Sequence, residues 1–177
     1  MPRILHFVRH GQYVEATGAL TKLGRAQAAR IAAELSRGTH AVVHCSNMPR
    51  ALETAGIVAK RLGLTVRTNE LLREVLPTRA PRVRIPYARR AADWARLADV
   101  ELKFLQPAKA EIHEVVVCHG NLIRSLVARA LGTPRTHWVR MHIYNGSLTT
   151  LVCREDGVRL LTFNSVAHLA PEQRTFS

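Results

Sequence analysis

Two histidines stand in matching contexts. Val8-Arg9-His10-Gly11 follows one apolar, β-rich run, and Val117-Cys118-His119-Gly120 follows another. Each is a strand, a His-Gly pair, then a loop or helix. In an open parallel sheet, ligands bind beyond the carboxyl ends of the strands, so both imidazoles are expected on one edge. A lone histidine is more often structural or simply exposed; a matched pair is a candidate site. Arg50 reaches the same edge. It follows the run Ala41–Cys45, at the start of a helix that Pro49 suits, where free N–H groups favour anions. A guanidinium fork matches phosphate oxygens, so a phosphate pocket is chemically reasonable there. Taken alone, one arginine among so many would read as surface charge.

These side chains need alternating strands and helices to hold them. Ile4–Val8 reads as a strand and residues 11–20 as a loop. Thr21 is a capping residue for a helix to about Ser36, with Leu23, Gln27, Ile31 and Leu35 along one stripe and Gly38 ending it. Ala41–Cys45 is the next strand. A helix runs from Pro49 to just before Gly63, and a short strand surrounds Val66. Pro77, Pro81 and Pro86 interrupt the following stretch. Ala88–Leu105 is helical in character, with Trp94, Leu97 and Leu105 as core contacts. Val115–Cys118 is a buried strand, and Leu122–Leu131 a helix ending at Gly132-Thr133-Pro134. Two strands, Ser147–Cys153 and Val158–Phe163, meet at a turn, Glu155-Asp156-Gly157. The expectation is one α/β domain over 1–177, a three-layer α/β/α sandwich whose mostly parallel central sheet carries an antiparallel addition. The last few residues are expected to fray.

Bulk properties narrow the class. A chain of 177 residues with 47% hydrophobic content can build a real core. No apolar run is long enough to cross a membrane. Met1–Val8 is too quickly interrupted to be a signal peptide, so the expected location is cytoplasmic. Cys45, Cys118 and Cys153 lack zinc-site pairing and read as buried thiols. Lys and Arg number 26 against 13 Asp and Glu, a net charge of +13. Such a surface attracts phosphorylated substrates, and polyanions in general.

Five motifs in order resemble the histidine phosphatase (phosphoglycerate-mutase-like) superfamily. They are Arg9-His10-Gly11, Leu20 to Ala28, Ser46 to Ala55, Leu71-Leu72-Arg73-Glu74 and Cys118-His119-Gly120-Asn121. The triplet alone is weak; the ordered set is specific and covers nearly the whole chain. Within it, His10-Gly11-Gln12-Tyr13, Leu71 to Glu74, Asn121 to Arg124 and Asn145 to Thr149 resemble the mitochondrial phosphoglycerate-mutase-like Ser/Thr phosphatases. Gly11 stands where those have serine. Their anchor and N-terminal extension find no match here, so their location and partners do not carry over.

The resemblance implies a phosphatase that uses a phosphohistidine intermediate and no cofactor. His10 would be the nucleophile, with one imidazole nitrogen held by a backbone carbonyl. It must be neutral to attack, and Arg9 and Arg50 disfavour its charged form. Arg9, Arg50 and His119 would surround the transferring phosphoryl, where positioned cations are the main catalytic tool. No carboxylate cluster offers a metal site. Glu74 would protonate the leaving oxygen and then deprotonate water; an exposed loop carboxylate is the alternative. Gln12 and Asn121 are candidates to hydrogen-bond substrate oxygens, and Gly11 and Gly120 complete the expected substrate contacts. Plain turn structure is the alternative for these.

Val75 to Glu114 is short and rich in arginine: Arg79, Arg82, Arg84, Arg89, Arg90 and Arg96. Phosphoglycerate mutases of the superfamily are longer, so an open basic mouth suited to hydrolysing a phosphoprotein or another bulky phosphorylated anion is expected here. A solvated basic face is the bland alternative. Two other readings stand beside it: a small-molecule phosphatase, and a nucleic-acid or polyanion-binding protein on the same fold. Intact Arg9, His10, Arg50, Glu74 and His119 argue against the last. A homo-oligomer is compatible with the sequence.

Overall fold

The computed structural model describes residues 1–76 and 86–176. The apolar runs become the centre of a six-stranded sheet. Its strands are β1 (Arg3–Arg9), β2 (Val43–Cys45), β3 (Val66–Thr68), β4 (Ile112–Cys118), β5 (Leu148–Arg154) and β6 (Gly157–Ser165), in the order β3-β2-β4-β1-β5-β6. The first four are parallel neighbours, and β5 and β6 add on antiparallel. Strands covered on both faces need apolar residues at successive positions, and the last five residues of β4 are all buried.

Four helices cover the sheet: α1 (Lys22–Leu35), α2 (Pro49–Leu62), α3 (Tyr87–Phe104) and α4 (Gly120–Ala130). On one face Ile31, Leu35, Ala55 and Val58 of α1 and α2 pack on Val8, Val43, Val115 and Val117. On the other, Leu97, Phe104, Leu122 and Leu126 of α3 and α4 pack on Leu5, Phe7, Val116 and Leu151. The three-layer expectation therefore holds. The three cysteines are buried free thiols, as read from the sequence.

Local chemistry sets the helix ends. Thr21 caps α1 by accepting from Gly24 N–H at 2.9 Å. Pro49 opens α2, and Gly63 closes it at φ +66°. Several boundaries differ from expectation by a few residues. Strand β2 begins at Val43, although Ala41 N–H donates to the His113 carbonyl at 2.9 Å. Helix α1 ends at Leu35 with Ser36 as its cap, two residues before Gly38.

The chain's last described residues are not frayed. Asn145 N–H donates to the Thr175 carbonyl at 2.9 Å, Gln27 Nε2 donates to the Gln173 carbonyl at 2.7 Å, and Tyr144 stacks on Phe176 at 4.2 Å. Pro77, Arg79, Pro81, Arg82 and Arg84 lie outside the described residues. Among the described ones, no helix is long and apolar enough to cross a membrane.

Candidate active site

Four adjacent parallel strands end on one edge, and each delivers part of a single cluster. Arg9 ends β1 and His10 follows it; His119 follows β4. Ser46 follows β2, and Arg50 opens the next helix; beyond β3 the chain reaches Glu74. The register pairs Arg9 with Cys118. His10 and His119 therefore emerge side by side, with ring centroids 5.1 Å apart.

His10 is buried, and its backbone is fully engaged. Its N–H donates to the Cys118 carbonyl at 3.1 Å, and its carbonyl accepts from Gly146 N–H at 3.2 Å. Its Nδ1 lies 2.9 Å from the Gly11 carbonyl, an acceptor, so Nδ1 carries the proton. Arg50 Nε donates to His10 Nε2 at 3.0 Å. Those two contacts fix the tautomer, with the Nε2 lone pair turned to Arg50. Burial, more than Arg9 and Arg50, pulls the His10 pKa down to about 3 against the opposing Gly11 bond. The sequence reading named the arginines and left out the larger cause.

Arg50 lies over Tyr13, its guanidinium carbon 4.5 Å from the ring centroid, while the Tyr13 ring meets His10 edge-on at 5.3 Å. Arg9 donates to the Ile143 carbonyl at 2.6 Å. Burial lowers its pKa to about 10, so it stays charged at neutral pH. His119 is fully buried, with Nε2 2.8 Å from Ser46 Oγ. Burial, then His10 and the neighbouring arginines, holds it uncharged, its pKa down to about 2.

Glu74 sits at the first turn of α4. Its Oε1 accepts from Asn121 N–H at 3.2 Å, Leu122 N–H at 3.3 Å and Val75 N–H at 3.0 Å. Its Oε2 has one long contact, 3.5 Å to Asn121 N–H. Burial raises its pKa above the usual carboxylate value, against the pull of those N–H groups and Arg9. It is no exposed loop carboxylate.

Three of the four expected substrate contacts hydrogen-bond within the chain. Gly11 N–H donates to Thr54 Oγ1 at 3.1 Å, and a Cβ at Gly11 would lie 2.4 Å from the Gly24 carbonyl oxygen. Gln12 Oε1 accepts from Thr21 Oγ1 at 2.8 Å, and Asn121 Oδ1 accepts from Arg124 Nη1 at 3.1 Å. At Gly120 a Cβ would come within 3.3 Å of Arg9 Nε, so this glycine makes room for the arginine. Gly11 and Gly120 therefore each also have a packing role.

Sequence reasoning gave no role to Tyr13, Ser46, Asn145 or Arg124, although each lies inside a motif it singled out. Arg124 of α4 interacts electrostatically with Glu74 and stands 5.6 Å from the Trp138 ring centroid. Asp93, which no motif contains, is buried at 1% exposure. Of the arginine-rich segment, Arg89 and Arg96 both bond to Asp93, so those two are not simply a solvated face. Among the described residues, no group of three or more His, Cys, Asp or Glu side chains could hold a metal ion.

The model of the histidine phosphatase superfamily (branch 1) matches residues 5–78 and 78–166. The chain belongs to the histidine phosphatase superfamily. This histidine phosphatase is 34% identical over 99% of its length to the mitochondrial serine/threonine-protein phosphatase PGAM5 of Mus musculus, and spans 67% of that relative. Among solved structures, it resembles the phosphoglycerate mutase of Plasmodium falciparum, with 27% identity and TM-score 0.67 over 100% of this chain and 99% of that one. It also resembles a mycobacterial glucosyl-3-phosphoglycerate phosphatase, with 25% identity and TM-score 0.71 over 93% and 100%.

The protein is a phosphatase with the phosphoglycerate-mutase-like fold. The expected cytoplasmic location is overturned, because its relative at 34% identity is named mitochondrial. That expectation rested on Met1–Val8 lacking an export signal, which says nothing of a chain spanning two thirds of its relative's length.

Proposed function

We propose that this phosphatase hydrolyses phosphomonoesters of serine and threonine in proteins through a phosphohistidine on His10, without a metal. The observation that carries the mechanism is the His10 tautomer: Nδ1–H held by the Gly11 carbonyl, and an uncharged Nε2 beside Arg50. Nε2 attacks phosphorus as the bond to the leaving oxygen breaks. Arg50 Nε–H must first give up Nε2, because that lone pair forms the N–P bond; the guanidinium then takes phosphoryl oxygens. Arg9 and Arg50 offset charge spread over the equatorial oxygens.

His119 contributes as a neutral donor. With Ser46 Oγ–H donating to its Nε2, the proton sits on Nδ1, which is enclosed and has no partner among the described residues. Nδ1–H is then available to a phosphoryl oxygen. Glu74, its pKa raised by burial, enters protonated and delivers that proton from Oε2 to the leaving oxygen. As carboxylate, it next takes a proton from the water that attacks phosphohistidine, which breaks the N–P bond and restores His10.

The protein substrate is supported by the relative's name, Ser/Thr-protein phosphatase, at 34% identity. The mycobacterial structure, named for a small phosphorylated molecule, favours the second reading: a metabolite phosphatase. A panel of phosphoserine and phosphothreonine peptides and small phosphometabolites decides between them, with His10→Ala as blank. Higher kcat/KM on peptides is expected. Turnover confined to small metabolites would replace the protein reading.

A further inference from the structure

The backbone that carries Glu74 is gripped by side chains of α3. Arg96 Nη2 donates to the Glu74 carbonyl at 2.7 Å and to Asp93 Oδ1 at 2.6 Å. Asp93 Oδ2 accepts from Leu76 N–H at 2.9 Å and from Arg89 Nε at 3.2 Å. One pair of side chains on α3 thus holds the carbonyl before Val75 and the N–H after it. The carboxyl of the same residue is held by the first turn of α4. Two helices therefore fix the two ends of Glu74.

We propose that Asp93 and Arg96 are positioning residues for this phosphatase, holding the Glu74 backbone so that its carboxyl docks on α4 with Oε2 left to move the proton. The proposal rests on the reading of Glu74 as the acid. Apolar contacts would hold α3 against its neighbours as well as a buried ion pair does. They would not specify the height of one backbone segment, which directional bonds to its carbonyl and N–H do. Asp93 is 2% exposed at the side chain and Arg96 21%, so the pair is little screened.

The test is single-turnover phosphorylation of His10 by an aryl phosphate and by a phosphoserine peptide. The proteins are wild type, Arg96→Met, Glu74→Gln and the double variant. An aryl leaving group needs little protonation. Arg96→Met should lose about 10–100-fold on the peptide and no more than about threefold on the aryl ester. In the Glu74→Gln background the same substitution should cost almost nothing, because its effect passes through Glu74. Arg96→Lys, which keeps one donor, should recover part of the loss. Should Arg96→Met fold poorly, Asp93→Asn should show the same pattern in weaker form.

Equal losses on both substrates, or full additivity with Glu74→Gln, would overturn the positioning role and leave the acid intact. A Glu74→Gln protein with no leaving-group dependence would overturn the acid instead. NMR then judges position without activity. The Asn121 and Leu122 amide shifts should move in Arg96→Met, and unmoved shifts would end the proposal.

Discussion

The burial that keeps the site histidines uncharged should make the whole fold acid-sensitive. His6, His10 and His119 are held down to pKa values of about 4, 3 and 2, with burial the largest cause in each. Once unfolded, each takes a proton near 6.5. Between its folded value and 6.5, the unfolded chain binds the extra proton. Stability is therefore full above pH 6.5 and lost as pH falls from 6.5 toward the folded values. One pH unit is ~1.4 kcal/mol per group, so going from 6.5 to 5 removes up to ~2 kcal/mol for each histidine. Three together reach up to ~6 kcal/mol, against a typical domain stability of about 5–15 kcal/mol. Glu74 acts the other way: its raised pKa adds stability as pH falls through it, and so opposes the histidines. Urea denaturation at pH 7 and pH 5, followed by tryptophan fluorescence, should show a large drop in midpoint at unchanged slope. His6→Gln should shrink the drop. An unchanged midpoint, or a drop insensitive to His6→Gln, would refute the reasoning.

Two further outcomes follow from the same contacts. Activity should survive EDTA, and a loss restored by magnesium or manganese would show that the phosphoryl pocket has been misread. Gly24→Ala puts a Cβ 1.9 Å from the Gln12 carbonyl oxygen, so α1 must move away from the His10 loop. Loss of about 1–3 kcal/mol of stability, together with lower kcat, is expected, and a wild-type urea midpoint would contradict it.

Much of this was legible in the sequence because it follows from local periodicity. The strand-then-His-Gly pattern at His10 and His119 placed both on one sheet edge, and Pro49 and Gly63 marked the ends of α2. The resemblance carried Glu74, which no local signal distinguishes from a loop carboxylate. What stayed hidden depends on contacts between distant segments. Tyr13 supports Arg50 across 37 positions, and Asp93 reaches Leu76 across 17. The packing role of Gly11 was hidden for a related reason. Its missing Cβ makes room for Gly24, which only the folded arrangement of α1 reveals. The terminal segment looked loose because its composition says nothing of Asn145 and Gln27, which tie it down.

The most direct test of the central claim is chemical trapping. Enzyme mixed with substrate labelled in the phosphoryl group, quenched within one turnover and digested, should yield label on the peptide bearing His10. The bond should be labile in acid and stable in base, as a phosphoramidate is, and His10→Ala should trap none. Label recovered on a serine or on His119, or normal turnover by His10→Ala, would contradict the account.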